Sequence, residues 1–166
     1  MARSRRIIFP GCIQHVMNRG IRKSDIFKDP DDYQVFMALM GEMRKRFGIK
    51  ILAWCLMTNH FHILIASDTA RIAEAMKYLE GTYAAYFNHK YGYKGHLFED
   101  RYTAVTAPTT GYLLEVSRYI HLNPGKAGLV NNPLHYLYSS YRDYVPPEKP
   151  RELKAAKELK ERQPCK

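Results

Sequence analysis

The chain has 166 residues, enough for one domain with a buried core. Lys and Arg number 26 against 16 Asp and Glu, a formal net charge of +10 at pH 7. Such a surplus predicts a polyanionic partner, although ribosomal or membrane-surface binding uses the same charge. No apolar run has the length of a membrane span, and Cys12, Cys55 and Cys165 lack metal-site spacing. We therefore expect a cytoplasmic, DNA-associated protein with no membrane segment.

The first elements follow from local signals. Residues 1–8 are rich in arginine, which suits a phosphate-contacting arm, although we favour a solubilising terminus. Residues 11–19 read as the first strand, and the two-residue period puts His15 and Arg19 on one face. These two side chains are candidates for the wall of a site. A helix capped by Asp29, with proline in its first turn and apolar residues at helical spacing, comes next and is predicted to end at Gly48.

Two histidines stand out in the third strand. Residues 49–58 and 60–66 read as adjacent strands joined by a tight connection, and the later one contains His60 and His62. Side chains of a strand alternate between faces, so the two histidines share a face. Apolar side chains occupy the opposite face: Phe61, Ile63 and Ile65. Two neighbouring imidazoles can hold one metal ion, although this spacing alone more often marks histidines that are merely hydrogen-bonded.

A second helix and a basic, aromatic loop follow. Asp68 or Thr69 is predicted to cap the helix, whose buried stripe runs over residues 72–87. The loop 90–95 combines lysines with tyrosines. This composition suits single-stranded nucleic acid, because bases stack on tyrosine rings while lysines contact phosphates. An ordinary surface loop hinged by glycine fits the pattern equally well.

Residues 97–107 are predicted as the fourth strand, which contains Arg101. Candidate DNA contacts come from the first strand, the basic loop and this segment: Arg19, Lys94, Arg101 and Tyr102.

The third helix brings a hydroxyl and an amide together. Thr109 or Thr110 is predicted to cap it, and the helical pattern stops at Pro124. Tyr119 and Asn123 are four positions apart, so they lie on one helix face. This places a potential nucleophile beside a potential oxygen ligand. The simpler alternatives are a core tyrosine and an ordinary helix-ending asparagine.

The element order strand–helix–strand–strand–helix–strand predicts an α+β fold, the ferredoxin-like βαββαβ arrangement with an antiparallel sheet and a further C-terminal helix. In that arrangement the first and third strands are central, the helices cover one face, and the other face stays open. His60 and His62 would occupy the open face, with His15 or Arg19 beside them. We expect a single domain over residues 1–145 and a mobile basic tail over 146–166.

Several motifs together resemble the single-tyrosine HUH transposases, most closely the REP-associated tyrosine transposases. They occur in family order up to about residue 144. The motifs are His15-Val16-Met17-Asn18-Arg19-Gly20, Met57-Thr58-Asn59-His60-Phe61-His62, Gly95-His96-Leu97-Phe98-Glu99-Asp100-Arg101-Tyr102 and Ser117-Arg118-Tyr119-Ile120-His121-Leu122-Asn123-Pro124.

The resemblance implies a site and a reaction. The family's metal ligands fall on His60, His62 and Asn123, and its nucleophile falls on Tyr119. The implied ion is Mg²⁺ or Mn²⁺, although these ligands also accept Zn²⁺. The implied enzyme is a metal-dependent single-stranded DNA endonuclease and transposase. Its tyrosine forms a covalent 5′-phosphotyrosine and frees a 3′ hydroxyl.

The resemblance also implies a partner and shows one departure. Family substrates are single-stranded DNA hairpins folded from repeat sequences, and family members act as monomers or as homodimers that exchange the tyrosine helix. Many relatives have Trp-x-x-Arg where this chain has Phe98-Glu99-Asp100-Arg101. The two carboxylates leave the local DNA contacts, and any role as additional ligands, open. Beyond a place in the wall of the site, the sequence assigns no role to His15. His121 is one position out of phase with the face of Tyr119 and Asn123, so it is a poor candidate for accepting the tyrosine's proton.

Three other readings fit parts of the pattern. A non-catalytic RRM-like module shares the topology but needs aromatic side chains on its open face, where this chain has histidines. A two-histidine phosphoesterase needs two His-x-Ser/Thr motifs, which the sequence lacks. A rolling-circle-type HUH nickase shares the chemistry but places its tyrosines in a different context and a larger protein.

Overall fold

A four-stranded antiparallel sheet with the order β2-β3-β1-β4 organises the fold. The computed structural model describes residues 9–145, so the predictions for the arginine-rich terminus 1–8 and the tail 146–166 lie outside the described residues. The strands are β1 (Cys12–Arg19), β2 (Ile49–Leu56), β3 (His60–Ser67) and β4 (Thr103–Thr106). The helices are α1 (Pro30–Phe47), α2 (Ile72–Tyr91) and α3 (Thr110–Lys126), with short 3-10 turns at Ile21–Lys23, Pro133–His135 and Ser140–Asp143. This arrangement confirms the predicted ferredoxin-like fold.

Helices α1 and α2 cover one face of the sheet. The Asp29 side chain accepts a hydrogen bond from the Asp32 amide, and Gly48 ends α1 with a left-handed φ of 65°. Both ends of α1 therefore follow the predicted signals. The shared core is aromatic and aliphatic and includes Phe36, Met43, Phe61, Ile63, Ile65, Met76, Leu79 and Tyr83.

Helix α3 packs on the opposite face of the sheet, which was predicted to be open. Val116 and Ile120 form a second buried cluster with Leu64 of β3 and with Ala53 and Cys55 of β2. The helix starts at its Thr109 cap, as predicted, but it continues through Pro124 to Lys126. Proline lacks only its own N–H, so near the carboxyl end it removes a single helical bond. The second face is therefore partly covered, and a cleft remains beyond the helix.

Two further boundaries differ from the predictions. Arg71 occupies the position before α2 without a side-chain capping bond, because Thr69 Oγ1 instead donates to the Phe47 carbonyl at 3.3 Å. Strand β4 has only four residues. Beyond Met17 of β1, the Asn18 side-chain amide donates to the Asp100 carbonyl at 2.8 Å, and the ladder is interrupted. Pairing resumes at an isolated antiparallel bridge between Gly20 and Phe98.

The segment after α3 covers the outer edge of β2. The Leu56 amide donates to the Tyr138 carbonyl at 2.9 Å, and the Trp54 amide donates to Ser140 Oγ at 2.9 Å. We call residues 136–144 the edge strap. Its bonds satisfy groups of an edge strand that would otherwise face solvent. Within residues 9–145, no helix combines the length and apolar character that crossing a membrane requires.

Candidate active site

The two histidines of β3 stand at the end of the sheet that α3 leaves uncovered. Their ring centroids are 5.0 Å apart and the rings are nearly perpendicular, at 89°. The antiparallel register sets Arg19 of β1 opposite His60, and it sets Met17 of β1 and Cys55 of β2 on the two sides of His62. Directly opposed residues share a face of the sheet, so strand pairing alone brings the β1 side chains to the histidines.

Hydrogen bonding fixes the orientation of His60. The Asn59 side-chain amide donates to the Lys23 carbonyl at 3.1 Å, which turns Asn59 Oδ1 towards His60 Nδ1 at 2.7 Å. An amide oxygen only accepts, so His60 Nδ1 carries the proton and donates. The lone pair of this imidazole is therefore on Nε2, the nitrogen that remains for a ligand.

His15 and His62 form a buried pair beside this arrangement. His15 Nε2 lies 3.0 Å from His62 Nδ1, and each residue is only 5% exposed. Burial lowers the pKa of His15 to about 4 and that of His62 to about 3, with smaller contributions to His62 from His15 and His60. Burial, followed by the charge of Arg19, also lowers the pKa of His60. The three imidazoles are therefore neutral at pH 7 and have lone pairs to share.

Helix α3 brings Tyr119 to the same place. Its ring centroid lies 5.5 Å from that of His62 and 6.3 Å from that of His15, and the side chain is 42% exposed. Lys126 Nζ lies 5.1 Å from the Tyr119 ring centroid. The Asn123 side-chain amide donates to the Tyr119 carbonyl at 3.0 Å, so its Oδ1 points away from that bond. Because Tyr119 and the histidines belong to one chain, their proximity needs no second copy.

A cleft of about 680 Å³ opens in front of the histidines and Tyr119. Its wall includes a basic and acidic rim formed by Arg19, Lys23, Glu99, Asp100 and Arg101. The Arg19 guanidinium donates to the Glu99 carboxylate across the rim. Both side chains remain about half exposed, at 52% and 43%. A phosphate that binds the Arg19 guanidinium would therefore compete with the Glu99 carboxylate for it.

The structure brings together five of the residues selected from the sequence. Tyr119, His60, His62, Arg19 and Arg101 all line the cleft. Asn123 lies one helical turn from Tyr119 and does not itself line the cleft, as judged among residues 9–145.

Two of the candidate DNA contacts lie elsewhere. Lys94 is exposed in the loop after α2. Tyr102 is only 5% exposed and packs in the α1–α2 core, and its selection as a DNA contact stays a prediction. Ala104, two residues later, lies opposite Val16 on the core face, so the two-residue alternation of the strand directs the Tyr102 ring inwards.

Sequence reasoning undervalued two residues of this region. His15 was a candidate for the site wall, and its strand phase was the signal that it shares a face with the histidines of β3. Its contact with His62 runs diagonally across the strand pair, because His15 lies directly opposite Leu64 and His62 lies directly opposite Met17. Glu99 was an unexplained departure, and it lies beside Arg19 because its amide donates to the Arg19 carbonyl next to the Gly20–Phe98 bridge.

The donor set fits a divalent ion only with an amide ligand. Among residues 9–145, no group of three or more His, Cys, Asp or Glu is placed to hold a metal ion. Cys55 lies opposite His62 in the register, and burial raises the pKa of its thiol to about 12, so the metal-free thiol is protonated at pH 7. If Asn123 Oδ1 turned towards the two neutral imidazoles, the three would form a mixed nitrogen and oxygen set of the kind that Mn²⁺ and Mg²⁺ accept.

Comparison with known proteins agrees with this architecture. A family model described as IS200-like transposase matches residues 9–123. The structure is similar to that of the REP-associated tyrosine transposase bound to a REP hairpin, with a TM-score of 0.73, 19% sequence identity, and coverage of 86% of this chain and 84% of that chain. A protein of Deinococcus radiodurans R1 described as a transposase gives a TM-score of 0.50, 16% identity, and coverage of 72% and 95%. No curated protein matches the sequence.

At these identities the two solved structures establish the fold, which is the one predicted. The family model spans well over half of the chain, from the start of the described region to the last predicted ligand of α3. The chain belongs to the IS200-like transposase family.

Proposed function

We propose that this chain is a REP-associated-type transposase that cleaves and rejoins single-stranded DNA through Tyr119. The observation that carries the proposal is the position of the Tyr119 ring, 5.5 Å from the ring of His62 in the same chain. A half-exposed phenol beside neutral imidazoles suits a nucleophile better than a core tyrosine. Tyrosine is also one of the side chains that form covalent intermediates in enzymes.

The cleavage step is a phosphoryl transfer to the phenol oxygen. The Tyr119 oxygen forms a bond to the scissile phosphorus while the bond from phosphorus to the 3′ oxygen breaks. The phenol loses one proton and the leaving 3′ oxygen gains one, so the step needs no cofactor that is consumed. The product is a 5′-phosphotyrosine, which is still a diester, and a 3′ hydroxyl of another strand can reverse the step.

Side chains in the cleft and on the neighbouring turn of α3 would bind and orient the strand. His60, His62 and the Asn123 amide oxygen would hold Mg²⁺ or Mn²⁺, which as a Lewis acid neutralises charge on the phosphate. The Arg19 guanidinium at the rim suits a flanking phosphate, and the near-attack geometry depends on α3 holding Tyr119 in place. Lys126, 5.1 Å from the Tyr119 ring centroid, adds positive charge next to the attacking group.

We propose single-stranded DNA hairpins formed by repeat sequences as the partner. The net charge of +10 favours a polyanion, and one of the similar solved structures is a transposase bound to a REP hairpin. The proximity of Tyr119 and His62 within one chain supports action by a monomer with its tyrosine in cis.

Covalent trapping tests the proposal. Purified protein is mixed with single-stranded oligonucleotides that tile the DNA beside its own gene, with Mg²⁺, Mn²⁺ or EDTA, and is run on a denaturing gel. We expect a metal-dependent protein–DNA adduct that Tyr119→Phe does not form. The matched control is Tyr112→Phe, which removes a hydroxyl from the same helix, on a side chain packed against the second core cluster.

The possible results separate the readings. An adduct that survives Tyr119→Phe but is lost in Tyr112→Phe would keep the chemistry and reject the nucleophile. Hairpin binding without any adduct in either metal would reject the enzyme and favour a non-catalytic binding module.

A further inference from the structure

We propose that His15 is a positioning residue that accepts a hydrogen bond from His62 and keeps the Nε2 lone pair of His62 directed to the cleft. The inference deepens the proposed function and rests on it in one respect, because a lone pair on Nε2 matters only if the cleft holds an electron-pair acceptor such as a divalent ion. The hydrogen bond itself can be tested in the protein without metal.

The contact between the two rings requires a single hydrogen. His15 Nε2 and His62 Nδ1 are 3.0 Å apart in a buried setting. Two N–H groups at this distance would clash, and two lone pairs would repel each other, so one ring donates and the other accepts. Only two arrangements of the pair satisfy this requirement.

The direction of that hydrogen bond decides what His62 offers to the cleft. If His15 donates, a neutral His62 carries its own proton on Nε2 and cannot bind a cation there. If His62 donates from Nδ1, its Nε2 has a lone pair and becomes a ligand. A hydrogen-bond acceptor behind one ring nitrogen thus selects the tautomer in which the other nitrogen binds.

The neighbouring histidine shows the same construction with the direction already fixed. Asn59 Oδ1 accepts from His60 Nδ1 at 2.7 Å, and this amide is held in place by the Lys23 carbonyl. His15 occupies the equivalent position behind His62, on the adjacent strand β1. Each histidine of β3 therefore has an acceptor at Nδ1, and the pair would present two Nε2 atoms of the same kind.

Burial makes His15 suitable for this role. It is 5% exposed and sits opposite Leu64 in the β1–β3 register, so it has neighbours that hold its ring without competing for its nitrogen. Its ring centroid lies 5.1 Å from that of His62, closer than the 6.3 Å to Tyr119. His15 therefore acts on His62 and not directly on the nucleophile.

The test measures the tautomer of His62 by long-range ¹H–¹⁵N NMR in metal-free protein labelled at histidine. We expect a proton on His62 Nδ1 in the wild type and a shift towards the Nε2-protonated form in His15→Phe, which keeps a ring but offers no acceptor. His15→Gln supplies a side-chain oxygen and should restore the Nδ1 proton. Val16→Ala, on the opposite face of β1, controls for loss of stability.

Manganese binding, followed by electron paramagnetic resonance, gives a second readout. We expect His15→Phe to weaken Mn²⁺ binding by about tenfold or more, as loss of such an orienting partner typically does, and His15→Gln to recover most of it. Val16→Ala should bind as the wild type does.

Two results would overturn the inference: a wild-type His62 protonated on Nε2, or a His15→Phe variant with unchanged tautomer and unchanged Mn²⁺ affinity. Failure of the proposed function gives a different result, namely no adduct in the trapping assay while the NMR measurement still reports the tautomer.

Discussion

The two faces of the sheet are made from alternating residues of the same strands, yet they have opposite characters. On the face under α1 and α2, Phe61, Ile63 and Ile65 of β3 are each 0% exposed within one aromatic and aliphatic core. On the other face, α3 seals Leu64 and leaves the histidines at the edge of a cleft. Strand β3 runs on regularly past the end of α3. The site therefore arises where the covering helix ends and the strand beyond it stays uncovered.

The largest expected effect compares adjacent residues of β3. Phe61→Ala should lower the free energy of unfolding by about 3–5 kcal/mol, because it opens a cavity in the sealed core. His60→Ala, half-buried at the cleft, should cost about 1 kcal/mol or less and yet abolish the metal-dependent adduct. Urea denaturation, followed by the fluorescence of Trp54, the single tryptophan, measures the free energy of unfolding of the two variants, and the trapping gel measures the adduct. Equal destabilisation by the two variants would mean that the cleft is a second packing core.

Acidification should act on the buried histidines of the polar face. The pKa values of His15 and His62 lie near 4 and 3 in the folded protein, below the ordinary 6.5. The unfolded chain therefore takes up protons first, so the stability is complete above pH 6.5 and is lost as the pH falls towards the folded values. We expect a loss that approaches about 1.4 kcal/mol per pH unit for each histidine as the pH falls from 6.5 to 5, above the range where most carboxylates titrate.

Urea denaturation of metal-free protein at pH 7, 6 and 5 measures this loss. His15→Gln removes one of the two groups and should reduce the slope by about one proton. A free energy of unfolding that does not change over this range would show that folding does not lower the pKa values of the two histidines.

The smallest effect concerns the rim of the cleft. Glu99→Gln frees Arg19 for a phosphate, so it should strengthen binding of a single-stranded oligonucleotide severalfold and steepen the salt dependence by about 0.7 in log–log slope. The free energy of unfolding should change by about 0.5 kcal/mol or less, since the ion pair is exposed.

Fluorescence anisotropy at several salt concentrations measures this change in DNA binding. Glu115→Gln, an exposed residue of α3, makes the same change in net charge away from Arg19. If the two variants strengthened DNA binding equally, Glu99 would act only through the net charge of the protein and not through its pairing with Arg19.

Local patterns were enough to predict much of the fold. The Asp29 cap and the glycine after α1 are signals within one turn of the chain, and both operate as predicted. The alternation of His60 and His62 with apolar residues likewise depends only on strand geometry. Their common face, and the presence of His15 and Arg19 on it, could therefore be derived from the sequence.

Long-range contacts account for what could not be predicted. Strand β4 is short because the Asn18 side chain takes the carbonyl of Asp100, a partner far away in the sequence. Helix α3 covers part of the second face because of two apolar positions, Val116 and Ile120, that in the sequence suit packing on any surface. Nothing in the composition of the edge strap predicts that it pairs with β2.

Because of the edge strap, the folded structure extends further along the chain than the family match does. The family match ends at residue 123, and residues 9–123 contain every side chain that lines the cleft. A protein trimmed to that boundary would nevertheless expose the hydrogen-bonding edge of β2, the strand beside the histidines, to other chains. An expression fragment designed from the motif alone would therefore be prone to aggregate, and fragments of this protein should extend through Tyr144.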